Sequence, residues 1–227
     1  TYEELVGRVR RAAQALQHLG VSQGDHVALL ADNSNAVLEC VFACAWIGAV
    51  CEQYNTRLSI CALDELMGRS PARVVVAGAR FVESLDERFI EGPCGRPDAL
   101  VQIGGEASFA QEASAECAVD DGAGCSSATG SLAAAALPAG KSKVPRYGYE
   151  ALLGSCDPAP GPLSLPPESP CMQFFTSGTT GMPRGVVVSH EALVERWRID
   201  AREQRFRADD VMLCVLPLFH VTSMAAY

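Results

Sequence analysis

Nowhere in this sequence do two cysteines form a C-x-x-C pair, and its four histidines, His18, His26, His190 and His220, fall at no spacing that a zinc site uses. No metal held by side chains alone is expected. The ten cysteines are scattered, and residues such as Cys40, Cys44, Cys51 and Cys214 sit inside apolar segments. They read as buried free thiols rather than a disulfide framework, which points to a reducing cytoplasm. Basic residues are also scarce, with 18 Lys and Arg against 27 Asp and Glu and a formal charge of -9. No Lys/Arg stripe with interleaved aromatics offsets that balance, so nucleic acid is not an expected partner. The longest apolar run, "AVLECVFACAWIGAV" at 36–50, is broken by Glu39 and falls short of the roughly 20 residues that cross a bilayer. It reads as a buried helix, so no transmembrane segment is expected, and it starts too far in to be a secretory signal. Internal repeats are lacking too.

What remains is enough for a real core: 227 residues, 48% hydrophobic and 20% charged. In "TYEELVGRVRRAAQALQHLG" the apolar residues recur at helical spacing, Thr1 and Glu4 form a capping box, and Gly20 ends the helix. A turn at Gln23–Asp25 leads to a strand over 26–30, then to a helix over 34–48 and a strand in "AVCEQY". Ser59 caps a further helix to about Arg69, and "RVVVAG" is a third buried strand. Helices alternating with β-branched runs predict an α/β fold with mainly parallel sheets flanked by helices. Residues 104–140 turn to Ala, Ser and Gly and predict a loop or insertion, with a short Ala-rich helix near 132–137 as the alternative. From Tyr147 the chain reads as an extended surface linker, punctuated by Pro at 158, 160, 162, 166, 167 and 170. The expected division is 1–103, an N-terminal α/β part; 104–169, insertion and linker; and 170–227, the start of a nucleotide-binding part. Thr1 in place of Met, and an end at Tyr227 inside an apolar run, read as part of a longer protein.

The chemistry concentrates in "CMQFFTSGTTGMPRGVVVSH" at 171–190. Strand-like runs flank the loop on both sides, which predicts a hairpin. A Walker A loop needs Gly-Lys-Ser/Thr leading into a helix, whereas here Gly185 precedes Val186. Glycines let backbone N–H groups converge on an anion, and hydroxyls add rotatable donors. Thr176, Ser177, Gly178, Thr179, Thr180 and Gly181 are thus candidate phosphate ligands, with Arg184 completing the nest. The plainer alternative is a solvated Ser/Thr/Gly turn.

Read in order, "TSGTTGMPRGV" resembles the signature phosphate loop of the adenylate-forming superfamily, acyl-CoA synthetase branch, whose pattern is Thr-Ser-Gly-Thr-Thr-Gly-x-Pro-Lys-Gly-Val. Arg184 stands in place of the lysine. "TYEEL", "GVSQGDHVALLADNS", "GAVCEQYNTRLS" and "VLPLFHVTSM" resemble further family segments. The resemblance implies the N-terminal part of the adenylate-forming fold, without the small C-terminal domain. It implies activation of a carboxylic acid by ATP and Mg²⁺ to an acyl adenylate, then transfer to coenzyme A. Thr176 to Gly181 would cradle the β- and γ-phosphates, with Arg184 and Gly185 beside them, and catalysis would fall to Arg184 and His220. Arg keeps the charge but has a larger planar head. Where the family commonly has Gly three residues after the histidine, Ser223 stands here and would narrow an acyl tunnel. His190, Asn55 and Arg57 are read as structural, and the arginines at 196, 198, 202, 205 and 207 as a solvated face. The family's later Tyr-Gly-x-Thr-Glu, ribose-binding Asp and catalytic Lys are not found before Tyr227. The chain given is therefore expected to bind ATP weakly and to complete no turnover. A catalytically incompetent fragment or pseudoenzyme that binds nucleotide or acyl ligands is the alternative reading.

Overall fold

The computed structural model describes residues 1–93, 95–105, 132–176, 183–207 and 209–226. It opens with α1 (Tyr2–His18), capped by Thr1, whose hydroxyl accepts from the Glu4 amide while the Glu4 carboxylate returns to the Thr1 amine. The helix ends in a Schellman turn: Gly20 adopts φ +89°, and the Gly20 and Val21 amides donate to the Gln17 and Leu16 carbonyls. Then follow β1 (His26–Leu30), α2 (Asn35–Ile47), β2 (Val50–Gln53), α3 (Ile60–Arg69), β3 (Val74–Gly78), α4 (Ala79–Glu91) and β4 (Ala99–Ile103). Ser59 caps α3 by accepting from the Ala62 amide. Gly48 closes α2 at φ +71°, a left-handed turn that an L side chain resists.

The strands join one sheet in the order β5-β6-β4-β3-β1-β2-β7-β8, where β5 is Ala136–Leu137, β6 Arg146–Gly148, β7 Pro170–Thr176 and β8 Arg184–Ser189. The pairs from β6 through β7 are parallel, and the two edge pairs, β5 with β6 and β7 with β8, are antiparallel. Alternation along β1 divides the core. Val27 and Leu29 turn to the cluster that also holds Leu16, Val37, Cys44 and Leu152, while Ala28 and Leu30 turn to Leu63, Leu66, Leu85 and Leu100. Both faces of a parallel sheet are thereby covered, which explains why its strands are almost continuously apolar.

The segment read as linker from Tyr147 is structured at its start. Tyr147 and Gly148 belong to β6, and α5 (Tyr149–Gly154) buries Tyr149, Leu152 and Leu153. Arg8 joins this helix to α2 by pairing with both Glu39 and Glu150, and the Tyr149 hydroxyl donates to Glu39 at 2.8 Å. The proline run lies beyond the helix and forms neither helix nor strand from 157 to 169, turning where the Ser169 amide donates to the Pro166 carbonyl. It is tied to α1 by paired bonds between Arg10 and Ala159, and to α2 by Trp46 Nε1 on the Pro160 carbonyl and the Leu163 amide on the Trp46 carbonyl. Residues 136–137, where an Ala-rich helix was the alternative, form the short strand β5. Most of the insertion, 106–131, lies outside the described residues.

Among the described residues Cys40, Cys44, Cys51, Cys156 and Cys171 are buried thiols outside any disulfide, as expected. Burial pushes the Cys171 thiol up to about 12 and Cys40 higher still, so both stay protonated and unreactive. Cys61 is exposed, and Cys214 is only half-buried because its segment pairs with no strand. No helix among the described residues is long and apolar enough to cross a membrane.

Candidate nucleotide site

Because β7 runs parallel to β2, its end at Thr176 emerges at the carboxyl edge of the sheet. Ligands of open α/β sheets gather outside that edge. The chain returns as the antiparallel strand β8, pairing Thr176 with Arg184 and Phe175 with Gly185, so the predicted hairpin is present and no Walker-type helix follows the loop. Thr176 and Arg184 are exposed at the mouth of the hairpin, where the Thr176 hydroxyl points at the Arg184 carbonyl, 3.4 Å away. Ser177, Gly178, Thr179, Thr180 and Gly181 lie outside the described residues. Arg184 keeps its guanidinium in solvent, with no hydrogen bond or ion pair among the described residues. An uncommitted guanidinium of this kind can fork two phosphate oxygens.

His220 reaches the same edge by a different route. Asn33, in the turn after β1, accepts from the Leu218 amide at 2.8 Å and donates to the Leu216 carbonyl at 2.8 Å, gripping the backbone on both sides of Pro217. The turn then closes through the His220 amide on the Pro217 carbonyl. The Thr222 amide donates to His220 Nδ1 at 3.1 Å, which makes Nδ1 an acceptor and leaves the neutral ring's proton on Nε2. The exposed ring can therefore donate from Nε2 to an anion. No hydrogen bond or ion pair joins His220 to Arg184 among the described residues. Ser223 is buried, with its hydroxyl in reach of the Pro217 and His220 carbonyls at 2.7 and 2.6 Å; it staples the histidine turn.

Asn33 was not anticipated. The only sequence signal for it is its place after a strand at the carboxyl edge, and its partners lie more than 180 residues away. Asn55 accepts from the Arg57 amide in a local turn, and Ser189 caps α6 (His190–Glu203) by accepting from the Ala192 amide. Partial burial lowers the His190 pKa from its usual value. Arg198 pairs with Glu195 on the exposed face of α6, whereas Arg196 reaches the buried Asp200.

The sequence model of the AMP-binding enzyme family matches residues 1–227. The chain is 33% identical to an indoleacetate–CoA ligase of Aromatoleum aromaticum, over 97% of its own length and 36% of the relative. It is 30% identical to a long-chain-fatty-acid–CoA ligase of Thermus thermophilus, over 98% of its length and 34% of the relative. The fold of apo MatB from Rhodopseudomonas palustris superposes with a TM-score of 0.72, covering 99% of this chain and 36% of that one at 19% identity, a likeness of fold alone. The chain thus spans about a third of the length of the relatives it matches. With the family's sequence model matched end to end and the hairpin of residues 170–189 in place, the chain belongs to the AMP-binding enzymes of the adenylate-forming superfamily.

Proposed function

We propose that these residues form the N-terminal part of an ATP-dependent acid–CoA ligase, which activates a carboxylic acid as its acyl adenylate and passes the acyl group to coenzyme A. The observation that carries the reading is the sequence run from Thr176 to Gly185, whose two ends pair as a hairpin at the carboxyl edge, with Arg184 making no side-chain bond among the described residues. In this reading 1–103 is the N-terminal α/β part, 104–169 the insertion and linker, and 170–227 begins the ATP-binding part, its strands β7 and β8 continuing the same sheet beyond β2. Thr176, Ser177, Gly178, Thr179, Thr180, Gly181 and Gly185 cradle the β- and γ-phosphates. A carboxylate oxygen of the acid attacks the α-phosphorus, and the α–β anhydride bond breaks with its electron pair leaving on pyrophosphate. Arg184, always charged, offsets the charge that accumulates there. His220 Nε2–H donates to an oxygen of the acid or of the α-phosphate. Transfer follows when the thiol sulfur of coenzyme A attacks the acyl carbon and AMP departs.

Among the described residues no three His, Cys, Asp or Glu side chains converge as a metal site. Mg²⁺ belongs to this reading only as the counter-ion that ATP brings. A reducing, cytoplasmic setting goes with the buried free thiols.

The test is acid-dependent ATP–pyrophosphate exchange by the full-length protein. Thr180→Ala lowers the exchange rate by about tenfold or more if the hydroxyl holds a transferring phosphate; an unchanged rate removes the loop from the mechanism. A second reading, a binding module that no longer turns over, draws on Arg184 in place of the family's lysine. ATP binding without any acid-dependent exchange, in a protein whose Arg184→Lys variant exchanges, selects it.

A further inference from the structure

Glu52 is a carboxylate with no exposed surface in the middle of a parallel sheet. Such a charge is tolerated only when donors surround it. Its Oε1 accepts from His26 Nδ1 at 2.6 Å, from Gln173 Nε2 at 3.3 Å and from the Ser70 hydroxyl, and its Oε2 accepts from the Tyr54 hydroxyl at 2.8 Å. Gln173 Nε2 also reaches the Ser70 oxygen at 3.1 Å. Strand register sets these contacts, because Glu52 stands beside Ala28 of β1 and Gln173 of β7 on one face of the sheet. None of these groups has a part in the activation chemistry above.

The far end of the cluster meets the hairpin stem. A Cβ on Gly185 would stand 2.8 Å from Gln173 Nε2 and 3.0 Å from its Cδ, so the Gln173 amide lies against the Gly185 backbone, one residue from Arg184. Two residues after Gln173, Phe175 packs its ring on Tyr54 with centroids 4.6 Å apart. Glu52 thereby orients an amide that touches both strands of the stem. Replacing Gly185 with any larger residue would push that amide off its acceptor.

From this geometry we infer that Glu52 and Gln173 are positioning residues for nucleotide: Glu52 holds the Gln173 amide against Gly185, and the amide fixes how β8 presents Arg184 at the mouth of the loop. The inference rests on the reading of 176–185 as the phosphate loop. It assigns the cluster to the ATP half of the reaction and not to the acid half, which separates it from a simple contribution to folding.

The experiment measures KM for ATP and KM for the acid in pyrophosphate exchange by the full-length protein, with melting temperatures alongside. Gln173→Met keeps the volume and removes the amide. It is expected to raise KM for ATP about fivefold to tenfold, the loss of one hydrogen bond to a charged acceptor, with KM for the acid within about twofold. The exchanged pair Glu52→Gln with Gln173→Glu restores a donor facing an acceptor and is expected to recover most of the ATP affinity. Equal changes in both KM values, or no recovery in the exchanged pair, overturn the inference. An unchanged KM for ATP in Gln173→Met, with Thr180→Ala still impaired, overturns it while leaving the phosphate-loop reading intact; an unimpaired Thr180→Ala overturns both. If Gln173→Met does not fold, Glu52→Gln, which keeps the volume and removes the charged acceptor of the same amide, either gives the ATP-selective rise or sinks the inference.

Discussion

The strands β1 to β4 and the hairpin β7–β8 share one sheet but are held in it by different means. In the first group Val27, Leu30, Val74, Val76 and Leu100 are all buried, with helices covering both faces of the sheet. In the second, Val186 and Val187 are 46% and 49% exposed on the outermost strand, and the following segment leaves Val211 and Leu213 at 96% and 83%. The body is fixed by close packing. β7 shares that packing through Cys171, Met172 and Phe174 and its pairing with β2, while the exposed side of the candidate site adds directional polar ties, Asn33 on the histidine turn and Glu52 on the hairpin stem. Packing tolerates the loss of one contact poorly in stability, whereas a polar tie lost at an edge changes position more than stability.

The contrast breaks most readily in the body. Leu100→Ala should destabilise by about 2–5 kcal/mol, through lost burial and the cavity left behind, as read by denaturant unfolding. Val187→Ala on the outer strand should stay within about 0.5 kcal/mol. If the two substitutions cost the same, the division is wrong.

Asn33→Ala tests the other kind of restraint. It should leave the unfolding midpoint of the body nearly unchanged but speed hydrogen exchange of the Leu218 amide by about fivefold to tenfold, since one net hydrogen bond is lost there. Slow exchange in the variant would mean that packing of Leu218, which is 5% exposed, holds the turn by itself.

Acidity sharpens the comparison at the junction of the two regions. His26, at the start of β1, is raised from its model-compound value of 6.5 by the bond to Glu52, with Asp25 adding to the rise and partial burial opposing it. Asp25 is itself paired with Arg73. A raised histidine stabilises the fold fully below its unfolded value and loses that contribution as pH climbs through the folded value. The stability difference between the native chain and His26→Gln should therefore shrink as pH rises from about 6 to 9, and a difference independent of pH would show that the imidazole acts only as a neutral donor. The smallest effect is reserved for the outer face of α6, where Arg198→Ala removes an exposed pair with Glu195 and should shift stability by no more than about 0.5 kcal/mol.

Much of the body could be read from local pattern. The capping box at Thr1, the cap at Ser59, the glycine closing α2 and the apolar strands all depend on residues within a few positions of one another, which is the range over which periodicity and capping speak. The hairpin was legible for the same reason, since polar loop residues separate two β-branched or aromatic runs. The short helix after Tyr149 was hidden by the prolines that follow it, which dominate the composition of the window. Asn33 and Glu52 were not legible as site-forming residues. The contacts that tie them to the site, Asn33 to Leu216 and Leu218 and Glu52 to Gln173, span more than 100 residues and are chosen by which strands become neighbours, a property no local window contains.

The pairing of β2 with β7 also has a consequence in time. Its register joins Glu52 to Gln173, 121 positions apart, so this junction closes a long loop and forms late relative to the β1–β4 unit, whose contacts are more local. Until β7 arrives, β2 is an open strand edge of the sequence Val-Cys-Glu-Gln, able to template pairing with another chain. A carboxylate on that edge repels its own copy and discourages such pairing. In the finished sheet the same Glu52 is enclosed by four donors, and one of them, Gln173, belongs to the strand that covers that edge.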